Sequence, residues 1–429
     1  MDREYAVQLA ASNIRFGPGV TREVGMDVAE AGLHRVLVLT DPNLAKLPPV
    51  AKTLEALESE GIEFELYDQV RVEPTDASFQ DAIAVAAKGG FEGYVAVGGG
   101  SVIDTAKAAN LYSTYPAEFL DYVNPPIGAG KPIPGPLKPL FAIPTTSGTG
   151  SETTGVAIFD YVGMHAKTGI AHRNLKPTLG LLDPEHTRTM PSQVVAATGL
   201  DVLSHAIESY TAMPYTDRAR ATRPNLRPAY QGSNPISDVW TLQALRMVDE
   251  YLIRAVEDAD DVEARGMMLL AAAYAGIGFG NSGCHLPHGM SYPVSSLVKG
   301  LAKPYHAPGY AIDTPLIPHG MSVILNAPAV FRFTASSHPE RHLAAAEALG
   351  ADVSGVTAQD AGKVLADRIT EFMRLLDVPN GLKALGYTSA DIPRLVEGTL
   401  PQHRVTKLSP KPAGADDLAG MFEEAMTAW

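Results

Sequence analysis

Hydrophobic and polar positions follow two different patterns along the 429-residue chain. In the first half, short apolar runs alternate with stretches of helical period. The runs fall at residues 12–16, 35–40, 62–67, 93–97 and 140–143, and Arg35-Val36-Leu37-Val38-Leu39-Thr40 is typical of them. Uninterrupted apolar runs this short predict strands covered on both faces, as in a parallel sheet. Helical stretches lie between them: one stops at Gly32, one covers 50–60 and ends at Gly61, and one starts behind Thr75 as N-cap. This alternation gives a parallel sheet with crossover helices, with 140–143 as its last strand. Residues 124–139, six of them proline and three glycine, predict an irregular surface loop.

Beyond about Asp183 the strand pattern gives way to long helical ones, at 194–210, 237–256, 262–276, 339–349 and 358–376. The expectation is an α/β domain over 1–187 and an all-helical domain over 188–429, with a ligand cleft between them. Helix breakers between Met213 and Pro235 predict an insertion lining that cleft.

Composition narrows the class. Lys and Arg number 34 against 48 Asp and Glu, a net charge of −14, which excludes wrapping nucleic acid. Apolar residues at 45% are ample for a large core. The single cysteine, Cys284, rules out an internal disulfide framework and Cys-based zinc clusters, so any metal is held by His and carboxylates. The start Met1-Asp2-Arg3-Glu4 is acidic where a targeting peptide is basic, and apolar stretches such as 267–279 are too short to span a bilayer. A soluble, cytoplasmic homo-oligomer is expected, acting on small molecules, with no nucleic-acid or membrane partner.

Two glycine-rich turns carry the first candidate chemistry. Gly98, Gly99, Gly100, Ser101 and Asp104 follow the run at 93–97 and open a helix. Glycines let the backbone approach a phosphate, and a helix N-terminus presents free N–H groups and a positive dipole end. The run is not GxGxxG, and alone it is equally a tight turn. The second turn, Pro144-Thr145-Thr146-Ser147-Gly148-Thr149-Gly150-Ser151-Glu152, again follows a strand. Two such loops at strand ends of one sheet suit a dinucleotide pyrophosphate. Asp41, just after its strand, is placed to accept a ribose hydroxyl, or equally to cap the turn before Pro42.

The second candidate is a metal site. Asp201 and His205 are spaced i, i+4 on one predicted helix, so they share a face. The pentapeptide Pro-His-Gly-Met-Ser occurs twice, bringing His288 and His319, each beside a glycine. Three imidazoles and a carboxylate suit a divalent transition metal, and Fe²⁺ and Zn²⁺ both fit. His285 is a neighbour suited to a supporting or proton-relay role, and Glu208 reads as an ordinary helix carboxylate or a support for the site. The other eight histidines, His165 among them, have no such context. Cys284 reads as packing rather than a nucleophile, and Gly148-Thr149-Gly150 lacks the GxSxG elbow of a serine hydrolase.

In this order, Asp41, Gly-Gly-Gly-Ser, Thr-Thr-Ser-Gly-Thr-Gly-Ser-Glu, Gly-Leu-Asp-x3-His and His-Gly-Met twice, the chain resembles the iron-containing (group III) alcohol dehydrogenases. The resemblance implies a Rossmann-like NAD-binding domain at 1–187 and an all-α metal-binding catalytic domain at 188–429, the dehydroquinate synthase-like fold. It implies a metal on Asp201, His205, His288 and His319. It implies NAD on Asp41, Gly98, Gly99, Gly100, Ser101, Asp104, Thr145, Thr146, Thr149, Thr154 and Lys167. The runs 227–238, 288–293 and 404–408 resemble a branch of that family that passes hydride from a hydroxy acid, 4-hydroxybutyrate, to an oxo acid, 2-oxoglutarate. An ordinary NAD-dependent alcohol or 4-hydroxybutyrate dehydrogenase is the alternative.

Two departures from the simple alcohol dehydrogenases stand out. Residues 299–316 lengthen the interval between His288 and His319, and Tyr292 stands where many members have a proton-accepting histidine. Tyr292 and His285 are thus the candidates for moving a proton. An anionic substrate needs a cationic clamp, for which Arg223, Arg227, Lys299 and Lys303 are candidates. A phosphorylated-substrate relative, of the dehydroquinate synthase or glycerol-1-phosphate dehydrogenase kind, calls for a denser Lys/Arg set near the metal motifs. A non-catalytic binding protein leaves two intact half-sites unexplained.

Overall fold

Eight strands form in the computed structural model, which describes residues 2–164, 166–310 and 314–429, so His165 and part of the 299–316 insertion lie outside it. In chain order they are β1 (Asn13–Phe16), β2 (Arg35–Leu39), β3 (Glu63–Tyr67), β4 (Gly93–Gly98), β5 (Leu140–Pro144), β6 (Val156–Tyr161), β7 (Ala166–Ala171) and β8 (Leu179–Leu182). Six of them make a parallel sheet in the order β1-β8-β5-β4-β2-β3. Its two faces are read directly from the period-2 alternation. Val36, Val38, Val95 and Val97 point into one core with Val24, Val28, Val50 and Leu57. Leu37, Leu39, Tyr94 and Ala96 point into the other with Ile103, Ala106, Ala82 and Ala86. Helices on both faces explain why these strands carry no polar alternation.

The strand at 140–143 is not the last. Past it come the antiparallel hairpin of β6 and β7 and the sheet strand β8. The hairpin is anchored by an aromatic cluster: Phe159 lies 5.2 Å from the Phe79 ring and 5.2 Å from that of Phe119. Ile133, from the proline-rich segment, is buried in the same cluster, so that segment is irregular but not wholly on the surface.

By packing, the chain forms two compact units, and neither is a single run of sequence. The sheet unit is Ala10–Met190 with Arg265–Gly276; the helical unit is Met1–Leu9, Pro191–Ala264 and Ile277–Trp429. In the helical unit, helix Ser192–Thr211 is buried on nearly every side. A Cβ on Gly199 would come within 2.1 Å of Leu252, so glycine is what lets helix Pro235–Glu257 cross there. Helices Leu286–Leu297, His319–Ile324, Ala327–Thr334 and Ile392–Thr399 add to the five expected ones.

Candidate functional site

In the sheet unit, β2, β4 and β5 are neighbours and end on the same edge. Leu39 is level with Ala96, and Gly98 with Pro144, so Asp41, Gly98–Gly100 and the 145–150 loop share one rim. The order β3-β2-β4-β5 reverses direction between β2 and β4, and such a switch point is where open parallel sheets bind ligands. The two loops interlock. Thr145 N–H donates to Gly98 O at 3.2 Å. A Cβ on Gly99 would sit 3.2 Å from Thr146 Oγ1, and one on Gly100 would be 2.6 Å from Thr149 Cγ2. A side chain would be tight at Gly99 and would clash with Thr149 at Gly100. Helix Gly100–Thr114 starts here with no side-chain cap; the Val102 and Ile103 N–H groups turn back to Gly99 O, and the positive end of the helix at Gly100 and Ser101 faces the loop for an anion. A cradle that a Cβ would fill, at a helix N-terminus, fits a pyrophosphate.

Other expected cofactor residues are held by the protein. Asp41 Oδ1 accepts from the N–H groups of Asn43 (2.9 Å) and Leu44 (3.1 Å), the capping role. Asp104 accepts from Ser151 Oγ at 2.5 Å and from the Ile158 N–H at 2.9 Å. The buried Lys107 donates to Ser151 Oγ and Val156 O, and reaches Thr154 Oγ1 at 3.4 Å. This web ties the helix after the glycine loop to the segment after the threonine loop. Burial pulls the Lys107 pKa down against the pull of Asp104. Lys167 bridges Glu73 and, at 3.1 Å, Asp160. Burial opposes its charge, but the two carboxylates hold the ammonium above its ordinary value. Ser101 Oγ accepts from the Glu73 N–H at 3.2 Å.

In the helical unit, helix Ser192–Thr211 carries Asp201, His205 and Glu208 on one face, all buried. Both Pro-His-Gly-Met-Ser copies turn out to be helix starts, as proline in a first turn favours. They share a local bond: Ser291 Oγ donates to His288 O, and Ser322 Oγ to His319 O, each at 2.7 Å. A Cβ on Gly320 would lie 2.0 Å from Ala197 O and 2.9 Å from Asp201 Cβ. The glycine after the histidine therefore lets that helix press onto the Asp201 helix.

The result is convergence. Ligand atoms of Asp201, His288 and His319 lie within 4.8 Å of one another. His288 Nε2 is 3.6 Å and His319 Nε2 3.9 Å from Asp201 Oδ1. His205 Nδ1 is 3.8 Å from Asp201 Oδ2, and its ring stacks on Phe279 at 3.9 Å and faces His288 at 4.7 Å. Three of the four expected ligands share one point, and His205 lies beside them, its ligand atom grouped with those of His288 and Cys284.

Glu208 is what sequence reasoning undervalued. Its carboxylate accepts from His288 Nδ1 at 2.5 Å and from the backbone N–H groups of His285 (2.7 Å) and His288 (3.4 Å). With Nδ1–H spent on Glu208, the neutral His288 ring has its lone pair on Nε2, and this buried atom makes no hydrogen bond. A carboxylate behind an imidazole that points an open nitrogen at two other ligands is how metal-binding histidines are held. The donor set fits a divalent transition metal. The signal was its place one turn beyond His205.

The two proton candidates face different partners. His285 is fully buried, its Nε2 3.0 Å from Thr211 Oγ1, and burial lowers its pKa to about 4. Tyr292, one turn after His288, accepts a 2.6 Å hydrogen bond from Arg404. Arg223, Lys299 and Lys303 are exposed, and Arg227 is paired with Glu4 at 3.1 Å.

Family models place these features. Residues 11–184 match the iron-containing alcohol dehydrogenase model and 229–426 match that family's C-terminal model. The chain belongs to the iron-containing alcohol dehydrogenase family and is an oxidoreductase. Within it, the chain is 60% identical over 425 residues to the mitochondrial hydroxyacid-oxoacid transhydrogenases of Rattus norvegicus and Homo sapiens, covering 99% of this chain and 90% of each relative. A probable enzyme of that name in Dictyostelium discoideum is 55% identical over 441 residues, covering 99% of this chain and 80% of the relative. Among solved structures, a 1,3-propanediol oxidoreductase superposes with a TM-score of 0.85 at 26% identity, covering 98% of this chain and 100% of that one. The sulfoacetaldehyde reductase of Bifidobacterium kashiwanohense, solved with NAD⁺, gives 0.79 at 25%, covering 98% and 99%.

These relatives support NAD and a metal as cofactors. The curated relatives are named mitochondrial, which overturns the cytoplasmic location expected from the acidic N-terminus and single cysteine. Among the described residues no helix is long and apolar enough to cross a membrane.

Proposed function

We propose that the chain is a hydroxyacid-oxoacid transhydrogenase that moves hydride from 4-hydroxybutyrate to 2-oxoglutarate, using NAD and Fe²⁺. Identity of 60% across nearly the whole chain supports the reaction class. The observation that carries the metal half is His288, fixed through Nδ1 by Glu208 with a buried, unbonded Nε2 beside Asp201 and His319. Asp201, His205, His288 and His319 hold the metal; Gly98, Gly99, Gly100, Ser101, Thr145, Thr146 and Thr149 hold the dinucleotide phosphates. Asp41 keeps its turn through Oδ1 and offers its charge to the adenosine ribose. Asp104, Thr154 and Lys167 act one layer back, by fixing the loops. When bound, the metal makes a substrate hydroxyl easier to ionise and NAD carries the hydride. Tyr292 and Glu208 position their neighbours, and His285, neutral above about pH 4, is available to pass a proton through Thr211.

The experiment is to supply the iron-loaded protein with both acids. Succinic semialdehyde and 2-hydroxyglutarate should form in equal amounts without NADH accumulating. Accumulating NADH with no effect of 2-oxoglutarate points instead to an ordinary dehydrogenase.

A further inference from the structure

We infer that Arg404 is the carboxylate-binding group of the substrate site, the residue that makes this chain prefer acids over neutral alcohols. The inference rests on the proposed hydroxy-acid reading and names the group that recognises the acid.

Arg404 is held beside the metal ligands by a close approach. Helix His403–Thr406 presses against Gly289, the residue after His288: a Cβ there would be 2.8 Å from Thr406 and 3.4 Å from Val405. The half-buried guanidinium donates to the Tyr292 phenol at 2.6 Å and lies 5.2 Å over the Tyr230 ring. Tyr230 in turn meets Phe279 edge-on at 6.5 Å, and Phe279 stacks on His205. Arg404 therefore sits one aromatic layer from the ligand cluster on one side and one helical turn from it on the other.

Its partners are what single it out. Three other half-buried arginines of the helical unit are matched with carboxylates, Arg227 with Glu4, Arg341 with Asp238 and Arg368 with Asp249, while a fourth, Arg218, donates to the Tyr230 carbonyl. Arg404 has two phenols and, among the described residues, no paired carboxylate. Withdrawing a guanidinium from water without a counter-charge is costly, and the cost is recovered when an anion arrives. A guanidinium keeps its proton at every working pH, so the cation persists beside these neutral phenols. A planar fork of N–H donors is the group that takes a carboxylate by two parallel bonds. The four cations expected for this role from sequence are exposed or already paired.

The test is equilibrium binding by calorimetry to the metal-loaded protein, comparing 4-hydroxybutyrate with the neutral 1,4-butanediol. The wild type should prefer the acid, Arg404→Gln should reduce that preference about 30- to 100-fold, and Arg404→Lys should restore part of it. A wild type with no preference, or an Arg404→Gln protein that keeps it, overturns the inference. Equal loss of both ligands in both variants, the signature of a damaged fold, overturns it too. Turnover of the two acids by the wild type is read separately. If both acids react while Arg404→Gln keeps its preference, only this inference fails; if Arg404 governs binding but no oxo acid is reduced, only the transhydrogenase reading fails.

Discussion

The sheet unit shapes its candidate site by leaving side chains out, and the helical unit shapes its own by bringing side chains in. At Gly99 and Gly100 the cradle exists because no Cβ stands between β4 and the threonines at 146 and 149. At Asp201, His288 and His319 the cluster exists because residues far apart in sequence sit on three helices pressed together. Backbone makes the first half and imidazole the second. Glycine serves both, as the cradle itself in one and as the spacer at Gly320 that admits a helix in the other. A small residue added to the first, or a large one removed from the second, should therefore disable one half and spare the other.

The largest effect is expected at His288→Ala, which should lose bound metal and at least about 10³-fold in kcat/KM, because metal polarisation is worth several kcal/mol. NADH binding, read by fluorescence, should stay within a few-fold, and its loss would break the separation of the halves. Gly100→Ala is the mirror experiment. Its Cβ would meet Thr149 at 2.6 Å, and overpacking of about 1–3 kcal/mol should weaken NADH binding about 10- to 100-fold with metal content intact. Glu208→Gln keeps every ligand but removes the charge behind His288. Metal affinity, measured by chelator competition, should fall about 10- to 100-fold, and no change would return Glu208 to an ordinary helix carboxylate.

Two smaller effects sharpen the picture. Asp41→Asn keeps an oxygen for the Asn43 and Leu44 N–H groups but removes the charge that would repel a 2′-phosphate. Use of NADP relative to NAD should rise about 10-fold, and an unchanged ratio would leave Asp41 with its turn alone. His342 is buried, with Nδ1 2.9 Å from His338 O and Nε2 2.9 Å from Thr334 Oγ1, and burial lowers its pKa from 6.5 to about 4. The folded protein keeps it neutral while the unfolded chain protonates near 6.5, so its stabilisation is lost as pH falls from about 6.5 toward 4. His342→Gln should make the fall in Tm over that window shallower by about 2 °C.

The same contrast explains what was legible in the sequence. The parallel strands were plain because a strand covered on both faces has to be apolar throughout, as Arg35–Leu39 and Gly93–Gly98 are. The β6–β7 hairpin was not, because its partners Phe79 and Phe119 are distant in sequence and its alternation is interrupted by the turn. The cluster of Asp201, His288 and His319 was readable from spacing and from the repeated pentapeptide, but the helices that begin there were hidden by the proline and glycine that open them. Asp41, Asp104, Thr154 and Lys167 stand at motif positions expected to meet the cofactor, while their side chains serve the loops. Glu208 and Arg404 were in view as residues, but what each does is set by a partner some eighty or a hundred positions away, His288 and Tyr292.

The central claim is that the hydride passes between two acids without the nicotinamide leaving. Deuterium on the carbinol carbon of 4-hydroxybutyrate tests it, with 2-oxoglutarate as acceptor and unlabelled NADH in the solution. The account predicts that carbon 2 of 2-hydroxyglutarate carries the label nearly undiluted. Dilution in proportion to the added NADH would contradict it, because the cofactor would then be exchanging at every turnover.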